Sequence, residues 1–259
     1  MRASMGMVLL LGGLAGCSAV NGDGSWGEEN RSLWRIDDGL CPGTEGGCGL
    51  EVPVASGVEV SLDANVPCAE LRRTSSGTRS DCDLHAYDVS TTGAGELRST
   101  NYDTADARID VELVTVGVGD AAVELREADG ALFDRVTLDV RDAVDIECGS
   151  VGPRGAAWDM PSLDTTSSYG VSTSGSGRVT QMELGCRLID DRGLPLFSGA
   201  SITWRITEGA DVSRIDDGGL FGGDSSTGAR IYVHFEGRGT IRLLATFGDL
   251  SREIVIDVT

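Results

Sequence analysis

Apolar and polar residues alternate one by one through most of the chain beyond residue 50. In residues 135–141, for example, Val136, Leu138 and Val140 alternate with charged or hydroxyl side chains. The same period of two recurs in the runs 109–113, 182–188, 202–206, 231–235, 241–245 and 254–258. This period is typical of β-strands with one buried face, and no segment shows the 3.6-residue period of an amphipathic helix. The pattern therefore predicts an all-β protein.

An internal repeat indicates the number of domains. Residues 119–140 align without a gap on residues 237–258, at an offset of 118 residues. Turn signals rich in Asp and Gly separate the alternating runs, which favours antiparallel β-sandwiches. Because the offset is about the length of one sandwich domain, we predict two sandwiches, at residues 50–147 and 148–259.

The first 16 residues have the composition of a signal peptide. Arg2 precedes an apolar run at Met7–Leu14, and Ala15 and Gly16 supply small residues immediately before Cys17. Eight apolar residues are far fewer than the roughly 20 that cross a bilayer, which argues against a transmembrane helix. The order resembles the lipobox of bacterial lipoproteins, and this resemblance implies that Cys17 carries a lipid such as palmitate and becomes the mature N-terminus.

The same resemblance implies a location in the bacterial cell envelope, with the N-terminal lipid as the membrane attachment. Ser18 at the second mature position favours the outer membrane over the inner one. Residues 17–49 are rich in Gly, Asp, Glu and Asn, so we predict a flexible tether between the lipid and the first sandwich. Trp26 and Trp34 are the exceptions, and they are candidates for packing onto that sandwich.

The charge of the chain restricts its partners. The formal net charge is −20, and all 21 cationic side chains are arginines. A surface this acidic repels nucleic-acid phosphates and anionic lipid headgroups. We therefore expect neither nucleic-acid binding nor adsorption of the folded part to a membrane, and a protein partner at the envelope instead.

Six cysteines remain besides the predicted lipidation site: Cys41, Cys48, Cys68, Cys82, Cys148 and Cys186. An even number in an extracytoplasmic protein predicts three disulfides. Six cysteines allow about fifteen connectivities. Their clustering along the chain favours three pairs of sequence neighbours: Cys41 with Cys48, Cys68 with Cys82, and Cys148 with Cys186. A metal site is the alternative, but the sequence has no Cys-x-x-Cys pair.

The stretch from Leu184 to Trp204 contains a strand pattern, an Asp-rich turn with Gly193, then Pro195 and a second strand pattern. This order resembles strands B and C of the bacterial immunoglobulin-like domains found in tandem in envelope lipoproteins, invasins and intimins. The two repeated hairpins resemble strands F and G of that family. The resemblance implies two immunoglobulin-like sandwiches. It also places Cys186 on strand B, with no cysteine on strand F, so that Cys148 is its candidate partner.

The sequence contains no serine-hydrolase, zinc-protease or phosphate-loop motif. His85 and His234 are the only histidines, and we assign His234 to the exposed face of a strand and His85 to a structural role. We therefore predict that the protein is not an enzyme and has no catalytic residues. Calcium is the alternative cofactor, with weak candidate ligands at the domain junction and in the B–C turn: Asp142, Asp145, Asp190 and Asp191.

Two functions from different classes follow. In the first, the protein is a non-catalytic, lipid-anchored envelope protein that presents two immunoglobulin-like domains for adhesion, spacing or complex assembly. In the second, it is an extracytoplasmic receptor for a glycan or a peptide. The receptor hypothesis depends on the Ser/Gly-rich loop 149–178, which is longer than most connections and offers Trp158 and Tyr169 as ligand contacts.

Overall fold

The computed structural model describes residues 25–37, 50–66, 71–74, 77–80, 83–150, 169–171, 180–199, 201–209, 211, 213–216 and 225–258. These residues form two β-sandwiches, and their only helical element is a short 3-10 turn at Leu84–Ala86. No helix in this part of the chain is long and apolar enough to cross a membrane.

The first sandwich has two sheets. Its first sheet contains, in spatial order, β1 (Ser25–Trp26), β2 (Leu33–Asp37), β4 (Glu59–Asn65), β9 (Arg108–Thr115) and β8 (Gly95–Asp103). Its second sheet contains β3 (Val54–Ala55), β11 (Leu132–Arg141), β10 (Gly119–Glu127) and β7 (Tyr87–Gly93). A separate hairpin consists of β5 (Leu71–Thr74) and β6 (Gly77–Ser80).

The second sandwich repeats this plan. One sheet contains β12 (Asp145–Ser150), β14 (Thr180–Ile189), β19 (Arg230–Phe235) and β17 (Ser213–Asp216), with β15 (Pro195–Leu196) beside β14. The other contains β13 (Tyr169–Val171), β21 (Leu250–Val258), β20 (Gly239–Phe247), β16 (Thr203–Glu208) and β18 (Ser225–Thr227).

Both sandwiches have immunoglobulin-like topology. In the first sandwich, β2, β4, β9 and β8 correspond to strands A, B, E and D, and β7, β10 and β11 correspond to C, F and G. In the second, β12, β14, β19 and β17 correspond to A, B, E and D, and β16, β20 and β21 correspond to C, F and G. This is the arrangement of a constant-type domain, with β1, β3, β13, β15 and β18 as additional short strands. A short strand pairs in parallel with the last strand of each sandwich, β3 with β11 and β13 with β21, while the other strand pairs are antiparallel. The predicted all-β, immunoglobulin-like fold is confirmed.

The alternating residues face the cores as their period predicts. Ile109, Val111 and Leu113 on β9 are at most 1% exposed, as are Ile231 and Phe235 on β19. Each core also contains one completely buried tryptophan, Trp34 in the first sandwich and Trp204 in the second. Trp204 Nε1 donates a hydrogen bond to the carbonyl oxygen of Gly228 at 2.7 Å, which satisfies the one polar atom of the ring.

The two repeated hairpins differ in register by two residues. Val140 lies opposite Gly119, but the equivalent Val258 lies opposite Gly239 rather than Gly237. The cause is the turn: β10 and β11 are joined by residues 128–131 after a bulge, whereas β20 and β21 are joined only by residues 248–249. A shift of two leaves every side chain on the same face, so the gapless alignment does not reveal it.

Part of the predicted tether belongs to the first sandwich. Within residues 17–49, the segment 25–37 forms β1 and β2, and β2 pairs antiparallel with β4. Trp34 is fully buried, while Trp26 remains 59% exposed. The prediction of a tether across this segment is therefore wrong, because Leu33-Trp34-Arg35-Ile36 is a short alternating strand inside a Gly- and Glu-rich stretch.

The disulfide predicted between Cys148 and Cys186 is present. The two residues lie directly opposite each other on β12 and β14, so the bond links neighbouring strands of one sheet rather than the two sheets. Cys17, Cys41, Cys48, Cys68 and Cys82 lie outside the described residues. β12 begins at Asp145, a few residues before the predicted domain boundary.

Candidate functional site at the domain junction

The two sandwiches are joined by a very short connection. β11 ends at Arg141 and β12 begins at Asp145, so only residues 142–144 separate the last strand of one sandwich from the first strand of the next. The amide of Val144 donates to the carbonyl oxygen of Ile189 at 2.8 Å and attaches this connection to the second sandwich. A connection this short and hydrogen-bonded leaves little freedom for the domains to rotate.

Main-chain hydrogen bonds cross the junction directly. The N–H of Phe197 donates to the carbonyl oxygen of Pro53 at 2.8 Å, and the N–H of Ala55 donates to the carbonyl oxygen of Phe197 at 2.9 Å. Together they form a parallel β-bridge between Val54 and Phe197. Phe197 is only 1% exposed, so the B–C loop of the second sandwich extends the edge of the first.

Gly199 permits this close approach. Its φ of +52° lies in the left-handed region, and a Cβ atom there would lie 2.6 Å from the carbonyl oxygen of Glu59 in the first sandwich. Both observations exclude an ordinary side chain at this position. The glycine therefore allows the backbones of the two sandwiches to come into contact.

A partly buried ion pair also connects the sandwiches. The guanidinium of Arg141 on β11 lies 2.7 Å from a carboxylate oxygen of Asp190, whose side chain is only 1% exposed. Asp190 also accepts hydrogen bonds from the main-chain N–H groups of Arg192 at 2.9 Å and Leu194 at 2.7 Å. Burial by itself would raise the pKa of Asp190, but the hydrogen bonds from Leu194, Arg141 and Arg192 outweigh it and hold the pKa below its ordinary value.

The four weak calcium candidates do not converge on one point. Asp190 is bonded to Arg141, and Asp145 lies 3.0 Å from Arg252. Asp142 and Asp191 line a shared cleft. Among the residues that the structure describes, no group of three His, Cys, Asp or Glu side chains is placed to hold a metal ion.

The cleft at the junction has a volume of about 450 Å³. Its lining combines Val118 and Val144, which are 61% and 52% exposed, with the charged side chains of Asp142, Asp191 and Arg192. An open cleft of this size between two domains is within the range of small-ligand sites.

The sequence interpretation did not identify Arg141, Phe197 or Gly199. A signal for Phe197 was present, because residues 194–197 break the alternation with a run of Leu, Pro, Leu and Phe. The neighbouring sequence does not mark Arg141 or Gly199 as junction residues, since each of them contacts a residue of the other sandwich.

The two histidines have different surroundings. His234 lies on the face of β19 opposite the core, as predicted, but its side chain is only 16% exposed because its Nε2 lies 2.6 Å from Asp216 on the neighbouring strand β17. This pair links edge strand β17 to β19. His85 packs against the ring of Tyr102 with ring centroids 4.7 Å apart. Trp158 lies outside the described residues, and only the backbone of Tyr169, within β13, is described.

No protein-family profile matches the sequence, and no curated protein matches it. Similar solved structures include domains 5–6 of the S-layer protein SbsC, at 12% identity and a TM-score of 0.29, covering 80% of this chain and 92% of that one. The D0-D1 domain of Intimin is 10% identical with a TM-score of 0.28, covering 80% and 95%. A glycosyl hydrolase family 2 member from Bacteroides cellulosilyticus is 11% identical with a TM-score of 0.29, covering 88% and 28%. At these scores the similarities do not indicate a function.

Proposed function

We propose that this protein is a non-catalytic, lipid-anchored component of the bacterial cell envelope. In this proposal its two immunoglobulin-like sandwiches form a stiff module for adhesion, spacing or assembly with a protein partner. The observation that supports it is the junction, where the main chain of Phe197 pairs with Pro53 and Ala55 and where Arg141 is bonded to Asp190. Tandem domains normally move relative to one another unless contacts like these restrain them.

We infer the position of the module relative to the membrane from the spacing between Cys17 and the first described strand. Cys17 precedes the first described strand, which begins at Ser25, by only eight residues. Eight extended residues reach at most about 28 Å. A lipid on Cys17 would therefore keep the first sandwich close to the bilayer and direct the second away from it, and we place the protein at the outer membrane.

Metabolic labelling tests the anchor. Cells producing the full chain or C17S would be grown with radiolabelled palmitate and separated into membrane and soluble fractions. We expect label and membrane association for the full chain, and neither for C17S. A full chain that remains unlabelled and soluble would contradict the anchor.

Interdomain distances test the stiff module. Because the chain has seven cysteines, spin labels would be attached through azide-bearing amino acids at the exposed positions Ala105 and Arg238, one on each sandwich. Pulsed electron paramagnetic resonance should give one narrow distance distribution. A broad distribution, typical of domains on a flexible linker, would rule out the stiff module.

The junction cleft supports a second candidate, an extracytoplasmic receptor for a glycan or a peptide. Its exposed Val118 and Val144, next to charged side chains, form the mixed lining that such ligands require. Glycan and peptide arrays probed with the full chain and with V118D test this candidate. Binding that V118D abolishes would favour the receptor, and binding that V118D leaves unchanged would exclude this cleft as its site.

A further inference from the structure

A buried carboxylate attaches the N-terminal segment to the last strand of the first sandwich. Asp134 on β11 is 0% exposed. It accepts hydrogen bonds from the main-chain N–H groups of Ser32 at 2.6 Å and Glu29 at 3.0 Å, and from Nε1 of Trp34 at 3.4 Å. A carboxylate in a core is tolerated only with several donors, and here three of them come from one segment 100 to 105 residues away in sequence.

Further contacts surround this carboxylate. The N–H of Glu28 donates to the carbonyl oxygen of Arg135 at 2.7 Å, and the carboxylate of Glu28 accepts a hydrogen bond from the Thr137 hydroxyl at 2.6 Å. Arg31 lies 5.5 Å from the centre of the Phe133 ring. The loop 27–32, which we call the N-terminal clasp, is thus bonded along residues 133–137 of β11.

Gly27 shows how closely the clasp fits. A Cβ atom at this position would overlap the carboxylate of Asp134. Only glycine lets the clasp reach that carboxylate, so the contact depends on Gly27 as well as on Asp134.

The clasp connects the N-terminal part of the chain to β11, and mechanical tension on the N-terminus would pass through it. Upstream of it, β1 is paired with β2 by only two residue pairs, Ser25 with Trp34 and Trp26 with Leu33. A pull on the N-terminus acts on these two pairs before it acts on the clasp, because β1 precedes the clasp along the chain. Downstream, β11 continues through residues 142–144 into the second sandwich.

We propose that the N-terminal clasp transmits force, carrying tension from the anchored N-terminus directly to β11 and so keeping the first sheet, and the other strands of the second sheet, out of the loaded path. The direction of the tension rests on the proposed function, because it assumes an anchor at Cys17. The mechanical property itself does not, and it is measured on purified protein whether or not Cys17 is acylated.

Single-molecule pulling in two geometries tests the clasp. In the first, the mature chain is held by a handle before residue 17 and by its C-terminus, so that the clasp lies in the loaded path. In the second, the handle is attached to an azide-bearing amino acid at exposed Ala105, and the clasp lies outside it. With the N-terminal handle, we expect D134N to lower the rupture force of the first sandwich by roughly one third, since charge-assisted hydrogen bonds are replaced by weaker ones.

With the handle at Ala105, D134N should change the rupture force by less than roughly one tenth. The matched control is D120N, which removes the same charge from exposed Asp120 on neighbouring β10 and should leave the force unchanged in both geometries. E28Q keeps the core intact while weakening the clasp at its exposed side, and it should lower the force only with the N-terminal handle. An equal loss in both geometries would show a merely structural role, and no loss with the N-terminal handle would show that tension bypasses the clasp; either result overturns the proposal.

Discussion

The two sandwiches share one topology but hold their first strands by different means. In the second sandwich, β12 is bonded covalently to β14 through Cys148 and Cys186, and Arg252 donates to the carbonyl oxygen of Ile146 at 2.8 Å. In the first sandwich, the corresponding strand β2 is preceded by the N-terminal clasp on Asp134. β12 lies at the edge of its sheet and has a neighbour on one side only, whereas β2 lies between β4 and the two-residue strand β1. Each domain supplies a different additional attachment for this strand.

Because the attachments differ, the stabilities of the two sandwiches should respond to different changes. A disulfide is insensitive to small changes of sequence around it but is lost on reduction. A buried carboxylate is insensitive to redox conditions but requires every one of its donors. Substitutions at these two attachments should therefore have larger effects on stability than substitutions at the junction between the sandwiches.

The largest effect is expected from removing the covalent attachment. The double variant C148A/C186A should destabilise the second sandwich by about 4 kcal/mol, because the bond closes a 38-residue separation in the unfolded chain. Hydrogen exchange of the main-chain amides of the second sandwich, followed by mass spectrometry through urea denaturation, measures it. The first sandwich serves as the internal control, and a matching loss in its own transition would contradict the assignment.

The next effect concerns the first sandwich. D134N should destabilise it by about 3 kcal/mol, because the amide group cannot accept from all the buried N–H donors that face Asp134. The loss should appear in the urea transition of the main-chain amides of the first sandwich, followed by hydrogen exchange, while D120N stays within about 0.5 kcal/mol of the wild type. An unchanged transition in D134N would mean that the buried donors find other partners.

At the junction we expect a smaller effect on stability but a clear change of the interdomain distances. G199A should cost about 1–2 kcal/mol from its positive φ and should broaden the interdomain distance distribution, because its Cβ atom would collide with Glu59. G57A is the matched control: Gly57 also has a positive φ, of +83°, but nothing lies within 4 Å of its Cβ position. If both variants broaden the distribution equally, backbone strain rather than the collision is responsible.

The smallest effect is a dependence on pH. The pKa of Asp190 is lowered in the folded protein, so its ion pair with Arg141 stabilises the junction above the unfolded pKa of about 3.9 and is lost as pH falls through the folded value. We expect the interdomain distances to remain narrow at about pH 4 and to broaden only as pH falls further, through the lowered pKa of Asp190, and we expect D190N to show the broad distribution already at pH 7. A narrow distribution in D190N at pH 7 would exclude this ion pair as the restraint.

Much of the fold was predictable because it depends on local patterns. The period of two predicted the strands and their inward faces, and the position of Cys148 near Cys186 along the chain predicted their bond. The N-terminal segment was misassigned, since the composition of residues 17–49 concealed the short strand at Leu33–Asp37. The contact of His234 with Asp216 was not predictable, because Asp216 reaches the histidine only through the pairing of β17 with β19.

The sequence by itself determined the class of fold, the number of sandwiches and the residues that fill their cores, because burial follows from alternation along a strand. Only the tertiary structure decided the contacts on which the proposals depend: Asp134 with Ser32, Arg141 with Asp190, and Phe197 with Pro53. The partners in each pair are about 50 to more than 140 residues apart. No local pattern specifies such a pair, since it forms only when two separately determined surfaces meet.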